Sequence, residues 1–430
     1  MADLLIRGDS GDISISDGVI SAIGTGLSIN AKREVDARGL LILPGVIDVH
    51  VHFNEPGREH WEGAATGSRA FAAGGGTLYF DMPLNSMPCT VGVREFRQKR
   101  VALEQASVTD FALWGGIVPG NRTALADLAS EGAIGFKAFM SDSGLPEFPR
   151  SDDLTLYEAM VEAAKLGLPV AVHAESEEIT RGLSQRAQAD GRTGIRDYLN
   201  SRPVVAEVEA IHRAALLARE AKAKLHIVHI SSGRGVAAAL EARSLGTDIT
   251  IETCAHYLFF TDEDMERIGA AAKCAPPLRT AAERDALGDF LSNGQIDIVA
   301  SDHSPAPLDM KQDANFFNVW GGIAGVQSTL AVLLNRRGLD IERIRQLLAA
   351  NPAARFRIPN KGRIAVGYDA DLVLVDRDAE HELKAEHLKQ RHAISPYIGR
   401  RFRGVIRQTF VRGIEAPGES RGRFVRPLPA

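Results

Sequence analysis

Eight short apolar runs of β type, each followed by a helical or loop stretch between Gly45 and Pro352, constrain this chain more than any other feature. The runs are Val46–His52, Thr77–Met82, Asp110–Ile117, Ile134–Met140, Pro169–His173, Leu225–Ile230, Asp248–Thr253 and Asp297–Ser301. Helical patterns lie between them at Glu62–Ala73, Val91–Ala106, Leu154–Leu166, Val204–Ala221, Val236–Ser244 and Ala281–Leu291. Strands apolar on both faces and separated by helices predict a parallel sheet covered on both sides. Eight such units predict a (β/α)8 barrel of TIM type, with a doubly wound open sheet as the competing architecture.

The ends of the chain read differently. LLIRG, GDISISDG, VISAIG and KREVDARG alternate apolar and polar residues between turn signals, which predicts short half-buried strands. GRIAVGYDADLVLVDRDAE predicts two strands around the turn Val366-Gly367-Tyr368-Asp369, and RFRGVIRQTFVRGIE predicts two more. The expected organisation is a small β-sandwich domain built from residues 1–44 and 363–430, flanking a barrel over 45–362. The Arg- and Pro-rich tail after Gly418 reads as a surface arm, packed or loose.

Composition narrows the class of function. The net charge is -5 with no basic stripe, which argues against nucleic acid or an anionic membrane as a partner. No apolar run approaches the roughly 20 residues that span a bilayer. Cys89, Cys254 and Cys274 are few, far apart and odd in number, so no disulfide framework is expected and a reducing cytoplasm fits. MADLLIRGDSGDIS has no basic segment followed by an apolar core, so it does not read as a secretory signal.

In a parallel barrel, chemistry collects at the C-terminal ends of the strands. His50 and His52 close the first run, one residue apart and therefore on one face of a strand. His173 closes the fifth, His229 the sixth and Asp302 the eighth, while Lys137 lies inside the fourth. Each has a bland reading alone: a rim histidine, a snorkelling lysine, an aspartate capping a helix. Together they would be five coincidences on one barrel face. Imidazoles with one carboxylate suit zinc or another divalent first-row ion. Four histidines and an aspartate exceed one open tetrahedral site and suit two ions sharing a bridging anion. A buried lysine loses its proton readily. Lys137 can then add carbon dioxide as a carbamate whose two oxygens reach two ions. The set predicts hydroxide generated near neutral pH and metal-assisted hydrolysis of an amide-type bond, with Asp302 as the acid/base.

The order H-x-H, lysine, histidine, histidine, aspartate over eight strands resembles the amidohydrolase superfamily. Over nearly the whole chain it is similar to the cyclic amidases: dihydroorotases, hydantoinases or dihydropyrimidinases, and allantoinases. The resemblance implies that His50, His52 and Asp302 bind the more buried ion and His173 and His229 the other, bridged by carboxylated Lys137. It implies a homo-oligomer, dimer or tetramer, acting on a small cyclic ureide or imide. Dihydroorotases of the similar type have H-x-H-x-R-E-P-G, where arginine pairs with a substrate carboxylate. This chain has Asn54 at that position, suited to a neutral urea or imide. EPGREHWEG, DMPLNSMP, ETCAHYLFF, KCAPPLR and VWGGIAGVQ resemble the allantoinase group, whose reaction opens a hydantoin ring to give allantoate. His60 and Ala255 depart from its pattern. Asn54, Asn85, Cys274 and the backbone around Ala275, Trp320, Gly321 and Gly322 are the implied substrate contacts. Asn85 reads equally as a turn residue, and Cys274 as pocket wall rather than nucleophile. The rival readings are dihydroorotase or hydantoinase activity, and a metal-free scaffold related to dihydropyrimidinase.

Overall fold

Buried β runs and amphipathic helices condense as eight parallel strand positions with helices outside, in a computed structural model that describes residues 1–429. Before the barrel come β1 (Ala2–Arg7), β2 (Asp12–Ser16), β3 (Val19–Gly24), β4 (Ala31–Asp36) and β5 (Leu41–Pro44). The barrel strands are β6 (Val46–Val51), β7 (Gly76–Asp81), β8 (Asp110–Leu113) continued by β9 (Gly115–Gly116), β10 (Phe136–Phe139), β11 (Val170–His173), β12 (Leu225–Ile227), β13 (Ile249–Cys254) and β14 (Ile298–Ala300). β6, β7 and β8 pair in parallel, as do β9 through β14 in order. The third position breaks at Trp114, whose indole N–H donates to Val49 O inside the barrel at 2.9 Å. The ring closes between the last and first strands. Val51 bridges His303 in parallel, and the Ser301 N–H shares both oxygens of buried Asp48 at 3.2 Å.

The chain ends form two four-stranded sheets, ordered β3-β2-β1-β4 and β17-β16-β15-β5. Here β15 is Leu372–Glu382, β16 Arg401–Val411 and β17 Ile414–Ala416. Leu4, Ile6, Ile13 and Ile15 share one apolar layer with Leu372, Leu374 and Phe410. Alternation explains the contact, because one face of each half-buried strand must find another apolar face.

One expectation from the sequence needs correction, and one alternative left open there is decided. The strand expected ahead of Gly367 does not form. Instead that segment turns, with Gly367 at φ 87, and bonds across to β3: Ile20 N to Tyr368 O and Gly367 N to Ile20 O, both 2.9 Å. The tail, expected as a surface arm either packed or loose, is packed. Its backbone exchanges bonds with Phe111 through Arg423 O at 3.0 Å and Val425 N at 2.8 Å, and the Phe424 ring packs on Phe96 and Phe111.

Beneath the barrel, Lys361 is buried among Asp110, Asp369 and Asp371 at 2.6–2.8 Å, and Arg412 reaches Asp110 from the C-terminal sheet. Burial works against the Lys361 charge, but the three carboxylates hold its pKa well above the ordinary lysine value. Lys361→Met would strand buried anions, so it is expected to destabilise the fold by about 3–5 kcal/mol in urea titration.

Candidate active site

At the C-terminal rim of the barrel, a cavity of about 530 Å³ takes its floor from the strand ends. His50, His52, His173, His229 and Asp302 all line it. They form two facing groups. His50 Nε2 and His52 Nε2 both approach Asp302 Oδ1, at 3.2 and 3.4 Å. His173 Nδ1 and His229 Nε2 stand 3.0 Å apart. One ligand atom each from His50, His229 and Asp302 lies within 4.8 Å of the others, linking the groups.

Local backbone geometry makes this convergence. The sixth and eighth strands end earlier than the sequence suggested, at Ile227 and Ala300. His229 and Asp302 therefore sit in the following turns at φ 40 and φ 44. Asn54 and Asn85 are likewise left-handed, at φ 65 and φ 73. Non-glycine residues adopt that region at a cost, and its concentration here is typical of functional sites.

Carboxylates behind the candidate ligands orient them. Glu252 contacts His50 Nδ1 at 3.0 Å, and Glu175 contacts His173 Nε2 at 2.8 Å while Arg202 holds Glu175 at 2.5 Å. Burial pushes the His50, His173 and His229 imidazoles below their usual pKa, favouring the neutral form that binds metals. Burial alone would raise Asp302, but His50 and His52 hold it below the usual carboxylate range.

Lys137 is fully buried, and its Nζ makes no hydrogen bond. It lies 4.9 Å over the Phe139 ring, which itself stacks on His173. Burial lowers its ammonium to about 7, so the neutral amine is accessible. Paired imidazoles, an ionised aspartate, supporting carboxylates and an unpartnered buried amine together fit a divalent-metal centre.

The substrate candidates divide. Asn85, Cys274, Ala275, Trp320, Gly321 and Gly322 line the cavity. Asn85 also donates to Ser304 Oγ at 3.3 Å. Burial pushes the Cys274 thiol up to about 12, which suits wall rather than nucleophile. Asn54 does not reach the cavity wall; its side chain is fully buried and donates to Pro305 O at 3.4 Å. The sequence reading missed Glu252, Glu175, Arg202 and Lys273. Lys273 Nζ donates to Phe316 O at 2.6 Å and Val319 O at 2.5 Å, tying the loop before Trp320 over the cavity. A carboxylate inside the apolar run ITIETC and the spacing His173-x-Glu175 were available signals for two of them.

Residues 41–415 match the amidohydrolase family. The chain is 64% identical to an allantoinase of Solibacter usitatus, covering 99% of this chain and 97% of that one. It is 51% identical to an allantoinase of Deinococcus radiodurans, covering 99% of each. Among solved structures, it superposes on the L-hydantoinase (dihydropyrimidinase) of Arthrobacter aurescens with a TM-score of 0.95 and 34% identity, covering 99% of this chain and 100% of that one. The D-hydantoinase (dihydropyrimidinase) of a Thermus species gives 0.92 at 28% identity, covering 99% of each. Barrel, strand-end donors and full-length similarity agree, and the chain belongs to the amidohydrolase family.

Proposed function

We propose that this chain hydrolyses allantoin, opening the hydantoin ring to give allantoate. The observation that carries the reading is the two-group His/Asp cluster on the floor of a ligand-sized cavity, in a chain so similar to allantoinases. His50, His52 and Asp302 would hold one divalent ion, His173 and His229 a second, and Lys137 would join them as a carbamate made with carbon dioxide. Imidazole-rich donors favour zinc. Such a pair of ions supplies a water of lowered pKa and polarises the carbonyl under attack.

The chain's own groups do the rest. Asp302, ionised and at the cavity floor, takes the proton from the attacking water and returns it to the departing ring nitrogen. Peptide edges at Ala275 and Gly321, with Asn85 and Ser304, present hydrogen-bonding groups to a planar ureide. Charge supports a neutral substrate. Among the described residues, every lysine or arginine lining the cavity is already partnered: Arg202 with Glu175, Arg181 with Glu177 at 3.3 Å, and Lys273 with backbone carbonyls. The inner cations Arg202 and Lys273 are thus committed to other partners, which disfavours a ring carboxylate such as dihydroorotate carries, whereas Arg181 is 57% exposed and held by a single contact. This argument replaces the direct contact expected of Asn54.

The same reading places the protein in the cytoplasm, supported by three buried free thiols. It also includes a dimer or tetramer, as the resemblance to the cyclic amidases implies. No helix among the described residues is long and apolar enough to cross a membrane.

A substrate panel on metal-replete protein tests the proposal. Allantoin is expected to turn over with a kcat/KM of about 10⁴ M⁻¹s⁻¹ or more, the range of ordinary enzymes. Dihydroorotate, and hydantoins carrying an alkyl or aryl group in place of the 5-ureido group, are expected to be slower by about tenfold or more. Faster turnover of dihydroorotate or a simple hydantoin than of allantoin would transfer the assignment to that substrate.

A further inference from the structure

All six residues of β13 are buried, and Glu252 stands among them with no solvent contact. Both of its oxygens are engaged. Oε1 lies 3.0 Å from His50 Nδ1 and accepts the backbone N–H of His229 at 3.0 Å. Oε2 lies 2.8 Å from His226 Nε2. An ionised carboxylate only accepts hydrogen bonds, so each imidazole must turn an N–H toward it.

That has a separate consequence for each metal-binding group. At His50 the proton is fixed on Nδ1, leaving the Nε2 lone pair facing Asp302 and His52. At His229 the bond holds a backbone at φ 40, the turn that carries the imidazole toward His173. The third contact fixes Glu252 itself. His226 stacks on Trp114, with centroids 6.2 Å apart, and meets the edge of Phe356 at 5.4 Å. The carboxylate therefore cannot follow one histidine without disturbing the other. Glu175 makes an instructive contrast, because it reaches His173 alone among the candidate ligands.

We propose that Glu252 is a positioning residue shared by both halves of the metal centre, setting the tautomer of a ligand in one and the backbone of a ligand in the other. The inference rests on the two-ion reading above. Glu252→Gln keeps size but removes the charge and turns one acceptor into an N–H₂ donor, so it cannot accept from all three neighbours, and facing that N–H₂ obliges His226, whose Nδ1 is unpartnered, to change tautomer. Glu175→Gln makes the same chemical change behind one ligand only.

Cobalt(II) titration of the full-length protein, stripped of metal and monitored by visible absorption and by competition with a chelator, tests it. Wild type is expected to take two ions per chain. Glu175→Gln is expected to weaken one of them by about 10–100-fold, the usual effect of removing an outer partner of a ligand. Glu252→Gln is expected to weaken both by a similar factor and to alter the spectrum of both. Glu252→Asp keeps the acceptor charge and is expected to recover part of the loss; should the Gln variant fail to fold, the Asp variant is read against wild type by the same criterion. Two cobalt ions bound by Glu252→Gln with unchanged affinity, or a loss confined to one site, would overturn the inference and leave the two-ion reading standing. Fewer than two ions in wild type would overturn both.

Discussion

Lys137→Ala is expected to leave a folded chain that holds at most one divalent ion and has lost ring-opening activity by about 10³-fold or more, since a metal pair supplies several kcal/mol of barrier lowering. The fold should tolerate the change. Lys137 Nζ makes no hydrogen bond, so its removal strands no partner, and the neighbouring β10–β11 ladder is backbone bonding that alanine preserves. What is lost is a buried, unpartnered amine beside the His/Asp cluster. Metal analysis and intact mass check the expectation together. Wild type should carry the extra mass of one carbon dioxide on residue 137. Two ions retained in Lys137→Ala would rule out its bridging role.

The second large effect is expected from Asp302→Asn. The amide keeps the size of the carboxylate and can occupy the same turn at φ 44. It cannot take a proton from water, and it is a poorer partner for His50 and His52, which stand 3.2 and 3.4 Å from Asp302 Oδ1. Loss of a general acid/base typically costs 10²–10⁴-fold, and a drop in kcat of about 10³-fold is expected here. KM should change little, because the cavity wall that binds the ring is untouched. Steady-state kinetics at saturating metal separate the two parameters. A normal kcat with a raised KM would instead assign Asp302 to substrate binding.

The barrel was legible because its signal is local and repeated. Each buried run is flanked by helix-period sequence, and polar residues capable of chemistry stand where those runs stop. His50, His52 and His173 are found this way, since each ends or nearly ends a strand whose register the apolar pattern sets. His229 and Asp302 also line the cavity, but their strands end earlier than the apolar pattern suggests. Their left-handed turns depend on bonds from distant groups, such as Glu252 to the His229 N–H. The outer partners were harder for the same reason. Glu252 meets His50 from 202 residues away, a distance over which periodicity carries no information. Asn54 shows the limit of motif reasoning. Asparagine in place of arginine means one cation fewer at that position, yet the asparagine itself turns to Pro305 O. The neutral-substrate argument rests instead on how Arg202 and Lys273 are paired, which no single segment reveals. The tail behaved similarly: its Arg/Pro composition hid Phe424, which packs on Phe96 and Phe111.

Allantoin ring opening by the wild-type protein, followed while a chelator removes its metal and zinc is then returned stepwise, is the most direct test of the whole account. Activity should fall to background on removal and reach its full value only as the second equivalent of zinc per chain is bound. Undiminished turnover by metal-free protein, or full activity at one equivalent, would contradict a two-ion hydrolase built from His50, His52, Lys137, His173, His229 and Asp302.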